Sequence, residues 1–537
     1  VAATGAGRDG FDRRENGSTI EFLTMLAWTI YISFLGVLVL MLLPREAARA
    51  ARIIALLTAI AGCGVALIGA MQQANPGEIA TIIKVPWIPS LGASYNLAAD
   101  GISLVLVVLT GLAAIAGILF SWNVEKRTKE FFAFYLALIG GVYGVFLSFD
   151  VLLLFVFYEL TIIPKYFLIA RWGSTRKEYG AMKLALYSFV GSHLVLIGLI
   201  ATWVVARMQT GHASLDLVEL SKIPFPPGFQ HWVFPLMFVG FAILAGLWPF
   251  HTWAPTGHVA APTAGSMLLA GVVMKLGAYG CLRVAMVLFP DGVRMWQNEI
   301  AALAVIGIIY GAGVALVQKD FKFVIGYSSV SHMGFVLLGL ATLNTIGLSG
   351  AMLQMFSHGI IAGLLFAVVG RMVYDRTHTR DFNDLQTMQL GKLLPFAGVT
   401  FVLAGMASMG MPGFSGFVAE FQVLWGAWTV FPKLVILTGV GILVGVAYIL
   451  RAWQKAFYSD VTEECRAPDR HSSNGAPHAE TVPDAPFEPI SMPERFGAFL
   501  LIGASLVVGL FPGLLLNWIQ PCLNSPLFER LLKGGSL

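Results

Sequence analysis

Charge is what this 537-residue chain has least of: Asp, Glu, Lys and Arg together make up 12% of it, against about 25% in ordinary soluble domains. That scarcity excludes a soluble globular domain with a conventional charged surface. The small net charge of +4, with its basic residues in loops and not in one stripe, speaks against a nucleic-acid partner. Cysteine is scarce too. Cys63, Cys281, Cys465 and Cys522 are isolated, with no C-x-x-C pair, so neither a disulfide framework nor an iron-sulfur ligand set is expected. No nucleotide-cradling glycine loop occurs, and no cofactor or metal is expected.

What the chain has in abundance is hydrophobic sequence, 57% of its residues. Apolar runs of roughly 20 residues, each long enough to cross a bilayer, recur from Ile20 to Ile519 and number about fourteen. The expectation is an all-α polytopic protein embedded in lipid. The run from Ile20 to Leu43 is too long for a signal-peptide core and reads as a first transmembrane helix. Arg45, Arg49 and Arg52 follow the first run, Lys126, Arg127 and Lys129 the third, Arg171, Arg176 and Lys177 the fifth. Lys319 and Lys322 follow the ninth, and Arg371, Arg376 and Arg380 the eleventh. With alternating spans all these loops share one face, which positive-inside bias makes cytoplasmic, and both termini lie on the external side.

Two polar interruptions stand out. Residues 72 to 100 mix Pro, Gly and short alternating apolar stretches, as an external loop or hairpin would. Residues 459 to 494 are polar and Pro-rich and read as a flexible internal loop. Two apolar runs are themselves broken, "FAILAGLWPFHTWAP" (241 to 255) at Pro249 and Pro255, and "LAGMASMGMPGFSGFVAEFQVLWG" (403 to 426) at its Pro-Gly-Phe-Ser-Gly centre. Broken helices at membrane depth are tolerated beside a protected polar cavity, and a pair of them points to the inverted repeats of a transporter.

Glu159, Lys275, His332, His358 and Glu420 lie near the middle of their runs. Each central charge costs about 2.5 to 3.5 kcal/mol by insertion scales, so these groups must be paired, neutral or hydrated. The bland readings are a protonated structural carboxyl for Glu159 or Glu420 and a neutral serine-bonded ring for either histidine. The functional reading is a proton wire in which Lys and Glu load and release protons as neighbouring charges move. Ser328, Ser329, Ser331 and Ser357 would then hold bridging water.

The stretches "KVPWIPSLGASYNLAADGISLVLVVLT", "PFHTWAPTGHVAAPTAGSMLLAGVVMKLGAYG", "DFKFVIGYSSVSHMGFVLLG", "YDRTHTRDF" and "GMPGFSGFVAEF" resemble the NuoM/NdhD family of antiporter-like subunits of respiratory complex I. The resemblance runs along nearly the whole chain. It implies a fourteen-helix proton-translocating subunit of NADH:quinone oxidoreductase in a bacterial cytoplasmic membrane, beside neighbouring antiporter-like and other membrane-arm subunits. It carries no redox centre of its own. Discontinuous helices 7 and 12 would belong to two inverted five-helix repeats, residues 129-290 and 291-458. Residues 1-128 would hold helices 1 to 3 with the external hairpin, 459-494 the internal loop, and 495-537 helix 14 and a tail. Glu159 would sense the neighbouring subunit, Lys275 would be the central lysine, His332 and His358 the relay, and Glu420 the terminal group.

The chain also departs from that family. Leu244 occupies the place of a seventh-helix lysine that pairs with the fifth-helix glutamate, and acids are missing at Thr256 and Ala261. His332 lies 173 residues after Glu159 (332 minus 159) and Glu420 lies 176 after Leu244 (420 minus 244), near-equal offsets that would pair these positions across two repeats. Lys165, six residues after Glu159 in "YELTIIPKYFLIARWG", is a possible compensating charge. On an ideal helix it sits roughly 120° off the Glu159 face, so snorkelling toward Arg171 is the favoured reading. The alternatives are a non-pumping or altered-coupling membrane-arm spacer, and a cation/proton antiporter subunit of the Mrp or hydrogenase type. A haem held by His332 and His358 is remote, for want of a second histidine pair.

Overall fold

The computed structural model describes residues 25–73, 75–458 and 487–533. Cys465, the start of the run at Ile20 and most of the 459-494 loop lie outside the described residues. Apolar sequence without interior Gly-Pro clusters forms helix here because a bilayer leaves backbone N–H and C=O groups no partner but one another. Among the described residues, thirteen helices are long and apolar enough to span. They are α1 (Met25–Leu42), α2 (Ala48–Gln72), α3 (Gly101–Leu119), α4 (Thr128–Leu147), α5 (Val151–Trp172), α6 (Lys177–Thr210), α7 (Pro227–Ala245), α8 (Thr263–Met286), α9 (Gln297–Val317), α10 (Phe321–Ala341), α11 (Thr345–Thr377), α13 (Pro432–Phe457) and α14 (Met492–Leu510). Between α11 and α13 the shorter pair Pro395–Ser408 and Ser415–Trp428 makes a broken span, α12. Helix α7 continues likewise, after a gap, as Trp253–Ala260.

Side-chain size and polarity sort the layers. Helices α8 and α11 are wholly enclosed, α3, α4 and α10 nearly so, while α6 and α13 turn broad apolar faces outward. Residues 72 to 100 hold a hairpin, β1 (Ala80–Ile88) antiparallel to β2 (Ala93–Ala99). It is tied down by Asp216, which accepts from Lys84 Nζ at 2.8 Å and Asn96 Nδ2 at 2.9 Å. The bond to Asp216 raises the Lys84 pKa above its ordinary value.

Both broken helices stop in the same way. Gly246 (φ +87°) and Gly410 (φ +70°) adopt the left-handed conformation. At each the glycine N–H bonds three residues back, to Ile243 or Ala407, and the next N–H bonds five back, Leu247 to Ala242 and Met411 to Met406. This is the Schellman cap that glycine favours. Pro255, expected to help break α7, instead sits in the first turn of Trp253–Ala260, where its missing N–H costs nothing; Gly246 ends the helix.

A second repeated device caps α5 and α10. Asp150 accepts from the N–H groups of Leu152 and Leu153 and its backbone bridges to Asp216. Asp320 accepts from Lys322 and Phe323 and bridges to Asp381. These shared caps set the register between the halves, 170 residues at the aspartates (320 minus 150) and 164 at the glycines (410 minus 246). Counted from these caps, Glu159 would fall opposite Ser329, Leu244 opposite Ser408, and Glu420 opposite Thr256, a different pairing from the one the 173- and 176-residue offsets suggest.

Near one end of α8, Arg283 forks onto Asp100 with Nη1–Oδ2 at 2.6 Å and Nη2–Oδ1 at 2.7 Å, both side chains fully enclosed. Asp100 also caps α3 through Ser103 N, so one carboxylate pins two helices. Removing one member of a buried pair strands the other charge. Arg283→Met is expected to destabilise the subunit by about 3 to 5 kcal/mol, and Arg283→Met with Asp100→Asn to recover much of that while keeping a cap, as read by thermal melting of the assembled complex.

Candidate functional site

The site begins where α8 widens. Leu269–Val273 and Cys281–Met286 are π-helical turns flanking the α-helical turn that carries Lys275, and such turns commonly accompany function. Lys275 is fully buried and donates to the carbonyl of Ala270 within the first wide turn. Opposite it, α11 comes unusually close, because Gly271 and Gly359 face each other. A Cβ on Gly359 would lie 2.6 Å from Gly271 O, which no side chain tolerates. That approach puts Lys275 Nζ 2.7 Å from His358 Nδ1.

From there the polar groups run in a row. The rings of His358 and His332 stack with centroids 5.5 Å apart and planes 21° apart. His332 Nε2 lies 3.5 Å from Glu420 Oε1. The other His332 contacts are two carbonyls, Ser328 O at 2.8 Å from Nδ1 and Ser408 O at 3.0 Å from Nε2, and the Ser328 hydroxyl. The Ser408 carbonyl is open to His332 because the first half of α12 ends there, leaving its last carbonyls without intrahelical donors. Carbonyl oxygens only accept, so a doubly protonated ring donates to both while a neutral one leaves a nitrogen lone pair facing oxygen. The two carbonyls can therefore take the ring's N–H protons, and the Glu420 carboxylate stands beside Nε2. Gly410 makes room for that carboxylate: a Cβ there would lie 2.8 Å from Glu420 Oε2.

The serines divide. Ser328 Oγ reaches Tyr448 OH at 2.7 Å and His332 Nδ1 at 3.3 Å, and Ser357 Oγ reaches Ser415 Oγ at 2.8 Å. Ser329 and Ser331 bond backbone carbonyls, of Ile325 and Ile308, and so serve packing. Among His332, Gln354, His358 and Glu420 lies a cavity of ≈ 10 Å³, about the least volume that holds a water molecule. His358 Nε2 and Gln354 Oε1 border it with no hydrogen-bond partner.

Glu159 stands apart from this row. It is half-buried on the flank of α5, beside exposed Val156, Leu160 and Ile163, with its Oε1 enclosed and without a hydrogen-bond partner. Lys165 does not snorkel: its side chain is 1% exposed and its Nζ is buried with no hydrogen-bond partner. The expected route to the lipid-water edge is closed because α5 turns Lys165 inward past Pro164. Leu244 packs in the apolar core at 1% exposure.

Two groups escaped the sequence reading. His258, in the second half of α7, is fully buried with both ring nitrogens unpartnered. Lys322 donates to the carbonyls of Val259 and Ala261 at 3.3 and 2.7 Å and borders a cavity of ≈ 210 Å³ with Ser174, Thr263 and Asp375. The H-x-x-x-x-x-x-H spacing of His251 and His258 was the available signal. Lys322 had been assigned to a loop because it starts its helix.

Two broken helices with glycine caps inside the bundle, and a line of buried titratable groups between them, define a broken-helix membrane transporter. Residues 148–445 match the family described as NADH:quinone oxidoreductase/Mrp antiporter, TM. The chain is 34% identical over 468 residues to NADH-quinone oxidoreductase subunit M of Rhodobacter capsulatus, covering 85% of this chain and 86% of that one. To subunit M of Escherichia coli it is 34% identical over 502 residues, covering 91% and 94%. A chain of respiratory complex I from Thermus thermophilus superposes with a TM-score of 0.82 at 26% identity, covering 95% of this chain and all of that one. The chain belongs to the subunit M family of antiporter-like membrane subunits of NADH:quinone oxidoreductase, and is a multi-pass subunit of a bacterial complex I.

One ordered water is expected in a high-resolution map of the complex, between His358 Nε2 and Gln354 Oε1; Gln354→Leu should empty that position.

Proposed function

We propose that this subunit translocates protons along Lys275, His358, His332 and Glu420. The observation that carries the reading is the row just described, from Lys275 through His358 and the stacked ring of His332 to Glu420. A charged Lys275 donates its proton to His358 Nδ1, and the ring releases the Nε2 proton into the cavity, as an imidazole can because its two nitrogens exchange donor and acceptor roles. The bridging water and His332 carry it on to Glu420, whose negative charge stabilises the loaded His332. Ala270 O holds the Lys275 amine in place between transfers.

Glu159, on the outer flank of α5, senses the charge of a neighbouring membrane-arm subunit, and Glu420 passes the effect or the proton onward. Residues 129-290 and 291-458 act as two inverted repeats, a reading supported by the paired aspartate and glycine caps. Alternation of the spans together with positive-inside bias places the basic loops in the cytoplasm and both termini outside.

Lys275→Ala should abolish NADH-driven acidification of inverted membrane vesicles while the complex assembles at normal levels; full pumping would remove Lys275 from the path. Glu420→Gln keeps the shape and the hydrogen bond from Gln354 but removes the counter-charge. It is expected to slow pumping by about 10²-fold, in the range by which a positioned acid or base assists proton transfer.

A further inference from the structure

We propose that the outward stripe of α6 centred on His193 packs against a transmembrane helix of a neighbouring membrane-arm subunit, and that a side-chain O–H or N–H of that helix donates to His193 Nε2. The inference goes beyond the proton path and stands independently of it.

Depth is the first observation. Between Lys183 and Arg207, α6 runs for 23 residues (207 minus 183 minus 1) without an Asp, Glu, Lys or Arg, about the length that crosses the core of a bilayer. His193 lies two residues from the centre of that run, or about 3 Å along the helix from its middle. Its side chain is exposed there. Lipid tails offer an imidazole no hydrogen bond, and residues of this kind at membrane depth almost always have a partner or line a hydrated cavity.

The chemistry of the ring says what that partner carries. His193 Nδ1 lies 2.6 Å from the carbonyl oxygen of Phe189, one turn back. A carbonyl only accepts, so Nδ1 bears a proton, and in the neutral ring Nε2 holds the lone pair. The bond to Phe189 is the ring's one hydrogen bond among the described residues. The ring is thereby held in one tautomer with its acceptor nitrogen still to be satisfied, and only a donor can satisfy it.

The surface around the ring fits a helix. Leu186, Val190, Ile197, Ile200 and Val204 are exposed and, with His193, follow one another at alternating steps of four and three residues. Helices that pack side by side at a shallow angle share a seam with this repeat, in which a single polar residue fixes register and partner. The chain is one subunit of a membrane complex, so a spanning helix of a neighbouring subunit has both the length to cover the stripe and side chains able to donate.

The test uses the whole complex in its native membrane. With photoreactive benzoylphenylalanine in place of His193, irradiation is expected to give an adduct with a different subunit of the complex, identified by mass. Adducts with lipid alone, or with a second copy of this chain, overturn the inference. His193→Leu and His193→Gln make the chemical test without a bulky probe, and they decide if the photoreactive variant does not assemble. Leucine suits hydrocarbon better than imidazole does, so at a lipid-facing position it leaves the assembly as stable as before or more so. The proposal expects the opposite sign. Over a detergent series on native gels, His193→Leu should lower the ratio of intact to dissociated complex by about threefold or more, the effect of an average hydrogen bond between membrane helices. His193→Gln, whose amide oxygen reaches the place of Nε2 and still accepts, should recover most of that loss. A leucine variant as resistant to detergent as the unaltered complex overturns the inference, and so does a glutamine variant as weak as the leucine one.

Discussion

The polar interior depends on one close approach, that of α8 to α11 at Gly271 and Gly359. Without it Lys275 would face hydrocarbon and His358 would have no donor. With it, the amine and the imidazole meet at hydrogen-bonding distance in a layer where each charge is otherwise a cost of a few kcal/mol. The wide turns on either side of Lys275 belong to the same solution, because they put a backbone carbonyl where the ammonium needs an acceptor. Two missing side chains and one irregular helix thus make a buried lysine tolerable and useful.

The two halves are built alike but equipped differently. Matching aspartates start α5 and α10, and matching glycines stop α7 and α12. In the second half the break delivers a free carbonyl at Ser408 to His332, and ten residues past the glycine the chain presents Glu420. In the first half the corresponding positions are Leu244 and Thr256, an apolar side chain and a hydroxyl that accepts from Lys183 at 3.3 Å.

Much of the site was legible because a charge in an apolar run is conspicuous: Lys275, His332, His358 and Glu420 could be picked out one by one, and the structure places them in a row. Broken helices were legible for a similar reason, since Pro and Gly cluster there. What sequence could not supply was anything set by packing between distant segments. Nothing in the sequence marks Arg283 and Asp100 as partners, yet they form an enclosed pair. The π turns leave no mark in composition. The fate of Lys165 turned on whether α5 was regular, and ideal geometry pointed it to the wrong side.

The enclosure of α8 bears on how the chain enters the membrane at all. A segment that carries Lys275 and Arg283 across one span is a poor stop-transfer signal when it leaves the ribosome, at about 2.5 to 3.5 kcal/mol for each central cation by insertion scales. Its acidic and imidazole partners lie on both sides of it in the sequence, Asp100 already made and His358 still to come. Arg283 thus finds its counter-charge on a span made before α8, whereas Lys275 finds its partner only on a span made after it.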